Sequence, residues 1–133
     1  MTMPRLPPQG SPSTQIQVNS YSENLATLAM GNKAYTGIGF KPRTLEISAR
    51  LVTLGQIGSF GYSDQDLHVV CSTLFQFNLA GSNQGALVFI YGSGAWIIYA
   101  SVASYDADGF TLTWALIGVG PTGTLDLAVR AMS

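Results

Sequence analysis

Charge is what this sequence has least of. Asp, Glu, Lys and Arg make up 10% of the 133 residues, against about 25% in ordinary soluble domains. Six basic and seven acidic residues leave a net charge of −1, which excludes a polybasic nucleic-acid binder that works by counterion release. The single cysteine, Cys71, excludes an internal disulfide framework and a cysteine-rich zinc site. The single histidine, His68, leaves Ser-His-Asp and Cys-His catalysis dependent on one residue. Long hydrophobic runs are missing too: Gly, Ser, Asp or Gln interrupts each one before a bilayer-spanning length of about eighteen residues, so no membrane helix is expected. The first twenty residues are polar and proline-rich and lack the charged-then-apolar order of a secretory signal. A chain made in a reducing cytoplasm is the expectation. With hydrophobic residues at 47% and a mean hydropathy of +0.26, so weakly charged a surface favours association. Much of it is expected to be covered by other protein.

What is present is a period of two. In Thr44 to Leu51, Leu45, Ile47, Ala49 and Leu51 alternate with Thr44, Glu46, Ser48 and Arg50, the pattern of a half-buried strand. Leu67, Val69, Cys71, Phe75, Phe77 and Leu79 share one parity, which predicts a core thiol at Cys71 and turns His68 the other way. Phe110, Leu112, Trp114 and Leu116 form another such set, and Leu125, Leu127 and Val129 a third. Ala86 to Tyr91 and Ala95 to Val102 are apolar on both parities, as in strands buried on both faces. In so small a domain the second face is expected to be a subunit interface. Gly92-Ser93-Gly94 and Asp108-Gly109 read as hairpin turns. About eight short strands with regular turn signals predict an all-β, antiparallel β-sandwich of jelly-roll type over residues 14–133. A helix of at most two turns is expected within Ser22 to Met30.

Residues 1–13 hold four of the six prolines, Pro4, Pro7, Pro8 and Pro12, and predict an extended N-terminal arm. Two readings of the arm stand, a disordered tail or a segment ordered across a neighbouring subunit. On the second, the assembly contacts are Pro4, Arg5, Leu6, Pro7 and Pro8. Ile16 and Val18 extend them, because Thr14-Gln15-Ile16-Gln17-Val18 alternates and can add as an edge strand to a neighbour.

No catalytic constellation or cofactor site emerges. Asp64 with Asp66, and Asp106 with Asp108, could bind calcium but lack its further ligands and spacing, and Asp is also a turn residue in its own right. Gly37-Ile38-Gly39 lacks the third glycine of a dinucleotide loop. Tyr62, Tyr91, Trp96 and Tyr105 lie near predicted loops where aromatic rings could stack on sugars.

Two segments carry a resemblance. Tyr35-Thr36-Gly37-Ile38-Gly39-Phe40-Lys41-Pro42-Arg43-Thr44-Leu45 resembles the opening of a β-sandwich module of tailed-bacteriophage virion proteins. Ser101 to Trp114, with Asp108-Gly109-Phe110-Thr111-Leu112-Thr113-Trp114, resembles that module's closing hairpin, and Gly58 to Tyr62 falls where it has a small-residue strand. The similarity covers roughly residues 30–133, with order and spacing matching as well as the residues. Family members are tail-fibre or receptor-binding tips and small capsid-shell proteins, many of them trimers. The resemblance implies a non-enzymatic virion structural protein on the capsid surface, assembled in the host cytoplasm. A short arm in place of a fibre shaft favours a capsid decoration or cement protein. Its partners would be the major capsid protein and copies of itself, as a trimer or dimer, with no nucleic acid and no membrane. The alternative is a glycan-binding tip of a tail fibre.

Overall fold

A computed structural model describes residues 14–52, 57–65, 69–75, 78–92 and 96–133. The contacts expected at Pro4, Arg5, Leu6, Pro7 and Pro8, and the histidine His68, lie outside them. Among the described residues there are ten strands: β1 (Ile16–Asn24), β2 (Gly31–Thr36), β3 (Thr44–Leu51), β4 (Ile57–Asp64), β5 (Val69–Phe75), β6 (Asn78–Gln84), β7 (Val88–Gly92), β8 (Trp96–Asp106), β9 (Gly109–Gly118) and β10 (Thr124–Met132). All pairings are antiparallel.

The strands form two sheets, six-stranded in the order β1-β10-β3-β4-β5-β6 and four-stranded in the order β2-β9-β8-β7. The alternation read from sequence decides which side chains lie between them. Leu45, Ile47, Ala49 and Leu51 of β3, Leu125, Leu127, Val129 and Ala131 of β10, and Phe110, Leu112 and Trp114 of β9 are all buried in one core. Burying each of the larger side chains contributes roughly 1.5–3 kcal/mol. Of a jelly roll the fold has the two outer nested pairs, β1 with β10 and β2 with β9. Between them the chain runs as two meanders, β3 to β6 in one sheet and β7 to β9 in the other.

Two local expectations change. Ser22 to Met30 is not helical: β1 continues through Asn24, whose side chain accepts the Ala26 amide at 3.0 Å while its carbonyl takes the amides of Thr27 and Leu28. One turn closes there, because strand parity keeps Glu23 and Leu25 inward, both buried. The β8–β9 turn consists of Ala107 and Asp108, with Asp106 paired to Gly109, so Gly109 is a strand residue. In β7 and β8 one parity lies in this chain's core (Val88, Ile90, Trp96, Ile98, Ala100) and the other, the face the sequence assigns to a subunit interface, turns outward. A register shift between Val102 and Ser104 then returns Tyr105 to the core side.

Candidate interaction surfaces

The two segments that carry the family resemblance meet in space. Asp108, at the tip of the β8–β9 hairpin, accepts the amide of Gly37 at 3.1 Å and that of Gly39 at 2.7 Å through its carboxylate. Its carbonyl takes the intervening Ile38 amide at 3.1 Å. Both glycines have positive φ, 93° and 91°, which lets alternate amides of the loop point the same way. Behind this clasp the rings of Tyr35 and Phe110 stack at 5.2 Å, and Tyr21 meets Tyr35 edge-on at 5.1 Å. The Tyr21 hydroxyl donates to the Thr36 carbonyl at 2.9 Å, so β1 holds the same loop from its other side.

A polar chain runs into the core beside the clasp. Trp114 Nε1 donates to the Tyr35 hydroxyl at 3.0 Å, which donates to Glu23 Oε1 at 3.0 Å. Both Glu23 oxygens accept from Lys33 Nζ, at 2.5 and 2.6 Å. Glu23 is buried, and this pairing satisfies a carboxylate that would otherwise be costly there. Burial, then the Glu23 charge, pushes the Tyr35 phenol far above its ordinary range. The network joins β1, β2 and β9; its members bond to one another.

Asp106 is engaged locally. Its carboxylate accepts from Ser104 Oγ and Thr111 Oγ1, both at 2.7 Å, and these bonds, Thr111's foremost, hold it below the usual carboxylate range. Asp64 ends β4 opposite Thr44, and Asp66 lies outside the described residues. Among the described residues no three His, Cys, Asp or Glu side chains converge as metal ligands. Cys71 stands in register with Gly61 and Asn83 on β5. Nor do the four candidate sugar-stacking rings come together. Trp96 is buried in the core, Tyr105 shares a hydrogen bond with Ser63, and Tyr62 and Tyr91 belong to different sheets.

The outer faces of the sheets are the extended surfaces, and they differ. On the six-stranded sheet, Val18, Arg130 and Glu46 form one cross-strand row and Ser22, Asp126 and Arg50 another. Ion pairs link Arg130 with Glu46 at 3.5 Å and Arg50 with Asp126 at 3.9 Å. Between the rows, the small Ser20, Ala128 and Ser48 floor a hollow of about 500 Å³, lined further by Ser22, Arg50 and Asp126. Phe60, in register with Ser48 and 53% exposed, stands at its end. Ile16 and Val18, predicted as assembly contacts, lie on this face at the start of edge strand β1. They are 53% and 63% exposed and pair within their own chain, opposite Met132 and Arg130.

On the four-stranded sheet, Phe89, Tyr99 and Ala115 form one row and Tyr91, Ile97 and Ile117 the next. Phe89 stacks on Tyr99 at 5.9 Å. Toward β2 the face continues through Thr113 and Asn32, whose side chains hydrogen-bond at 2.6 Å, and through Thr111 and Ala34. The double apolar parity of residues 86–91 and 95–102 signalled half of this surface; the contribution of Ala115 and Ile117 was not read from the β9 pattern. No protein-family model, curated protein or solved structure matches the chain.

Proposed function

We propose that this chain is a non-enzymatic structural protein of a tailed-bacteriophage virion, a capsid decoration or cement protein that stabilises contacts between capsid subunits. The observation that supports it is the clasp. The two segments that resemble the phage module, far apart in sequence, are joined through Asp108, Gly37 and Gly39 and through the Tyr35–Phe110 stack. The residues that carry the resemblance thus form one contiguous unit of the fold. The rest is physical. A net charge of −1 gives little long-range attraction, so attachment to the shell has to use apolar burial and backbone pairing. The arm before β1 and copies of the chain itself are the means this reading assigns.

A glycan-binding tail tip remains the second reading. The hollow on the six-stranded sheet favours it, because its hydroxyls, Arg50, Asp126 and the nearby Phe60 ring suit a hydroxyl-rich ligand. Quantitative mass spectrometry of purified virions separates the two. A cement protein is present in hundreds of copies over the head and a tip in tens at the tail, and absence from virions removes both.

A further inference from the structure

The outer faces of the two sheets divide the chain's few charges unequally. Glu46, Arg50, Asp126 and Arg130 stand on the six-stranded sheet in cross-strand pairs. On the four-stranded sheet the outward parity carries one formal charge among the described residues, Asp106 at the β8–β9 hairpin end, where Ser104 and Thr111 hold it; the rows from Asn32, Thr113 and Ser101 to Tyr91, Ile97 and Ile117 carry none. Lys33 of β2 is on the other parity and is tied to Glu23. Ile117 is 55% and Tyr91 39% exposed, with Phe89, Ile97 and Tyr99 half-buried around them. Depletion of charge and enrichment of aromatics mark the centres of protein interfaces rather than free surface.

We infer that the chain forms a dimer in which the outer face of the four-stranded sheet packs against the same face of a second copy. The size fits. Four strands about 4.8 Å apart, of 6, 10, 11 and 5 residues at about 3.3 Å per residue, present roughly 500 Å² in plan. Side-chain relief brings the accessible area toward the roughly 800 Å² per partner of a stable complex. A second copy is the occupant this surface suits best. A partner face whose one carboxylate stands at the hairpin end, already hydrogen-bonded by Ser104 and Thr111, avoids stranding an unpaired charge at the centre of the contact, and a two-fold axis presents the same patch on both sides. A ring would need two different complementary patches, whereas the other sheet's outer face carries paired charges. Packed sheets lie about 10 Å apart at an angle set by their twist, which lets the ridge of Phe89 and Tyr99 enter the furrow over Ala115 of the other copy. The inference names the self-contact surface that the virion reading uses, and it stands without that reading, because the purified chain reports on it directly.

Sedimentation equilibrium of the full chain is expected to give twice the 14.1 kDa chain mass at tens of micromolar, with little change between low and high salt. Ile117→Glu, at a position exposed enough to keep the fold, is expected to raise the dimer dissociation constant roughly a hundredfold or more by burying two unpaired carboxylates. Phe60→Glu on the other sheet is expected to leave that constant unchanged. Hydroxyl-radical footprinting of the unaltered chain needs no variant: Tyr91, Tyr99 and Ile117 are expected to become protected as concentration rises. A monomer at high concentration, or a dimer unaffected by Ile117→Glu, overturns the inference. So does protection centred on Phe60, or a dimer lost on deleting residues 1–13 but kept by Ile117→Glu, which would assign the contact to the arm.

Discussion

Asp108 and Gly39 lie 69 residues apart in sequence and 2.7 Å apart in the fold, carboxylate to amide. With the Gly37 amide at 3.1 Å on the other oxygen, one side chain fixes the exit of β2 against the β8–β9 hairpin. Asp108→Ala leaves both amides to water and is expected to cost about 1–3 kcal/mol, less than two bonds to a buried charged acceptor at about 1.5–3 kcal/mol each would sum to, because the site is exposed. Asp108→Asn keeps one acceptor oxygen and is expected to cost about half as much. Urea unfolding checks this: the midpoint falls while the slope stays constant.

Gly109 predicts a different kind of failure. A Cβ there would stand 1.9 Å from the Tyr35 carbonyl oxygen, which is backbone and cannot swing away. Gly109→Ala is therefore expected to part β2 from β9 and cost upward of about 3 kcal/mol. Gly39→Ala meets nothing within 4 Å and suffers only from its φ of +91°, a penalty of about 1–2 kcal/mol. Equal losses in thermal unfolding would contradict this ranking.

These two glycines show what was legible in the sequence and what was not. The strands of β3, β9 and β10 could be read because burial on one face imposes a period of two on neighbouring residues. Asp108-Gly109 was readable as a turn signal, but its geometry was not. Glycine is required there by Tyr35, a residue of another strand. Glu23 was equally hidden: on parity alone it is one polar residue of an edge strand, and its burial makes sense only once Lys33 and Tyr35 surround it. The predicted helix failed for a related reason, since a weak helical spacing in Ser22 to Met30 yields to the inward demand of Glu23 and Leu25. The apolar outer face of the four-stranded sheet was partly legible, because apolar residues on both parities of β7 and β8 cannot all enter one core.

Alkaline pH is expected to unfold the protein through its tyrosines. Burial, with the Glu23 charge added, raises the Tyr35 phenol, and burial raises Tyr105. Unfolded phenols ionise near pH 10, about their ordinary value. Above that pH the unfolded chain holds fewer protons than the folded one, so stability is intact below it and falls as pH rises past it. Tyrosinate absorbance followed with pH should show these two of the six tyrosines ionising together with unfolding. Tyr35→Phe is expected to flatten the alkaline loss and to cost about 1–2 kcal/mol at neutral pH, because Glu23 and Trp114 lose a shared partner.

Truncation at the N-terminus separates the arm from β1. Gln15 still donates to Ser133 Oγ at 2.8 Å and accepts the Ser133 amide at 3.0 Å after residues 1–13 are removed, so that deletion is expected to leave the melting temperature nearly unchanged. Continuing through Val18 removes the pairing of Ile16, Gln17 and Val18 with Met132, Ala131 and Arg130. The ladder bonds lost are worth about 0.5–1.5 kcal/mol each, a drop of several degrees for a domain of this size. Co-sedimentation with particles tests the arm as an attachment device. The shorter deletion is expected to bind more weakly, at low and high salt alike, and binding at full strength would remove the arm from the mechanism. Loss of binding by the intact chain in moderate salt would point instead to charge. Lys33 is then a poor first choice for mutation because Glu23 already holds it. Lys41 and Arg43, both exposed beside the Asp108 clasp and the end of β10, are the residues whose replacement by Gln should reproduce the salt effect.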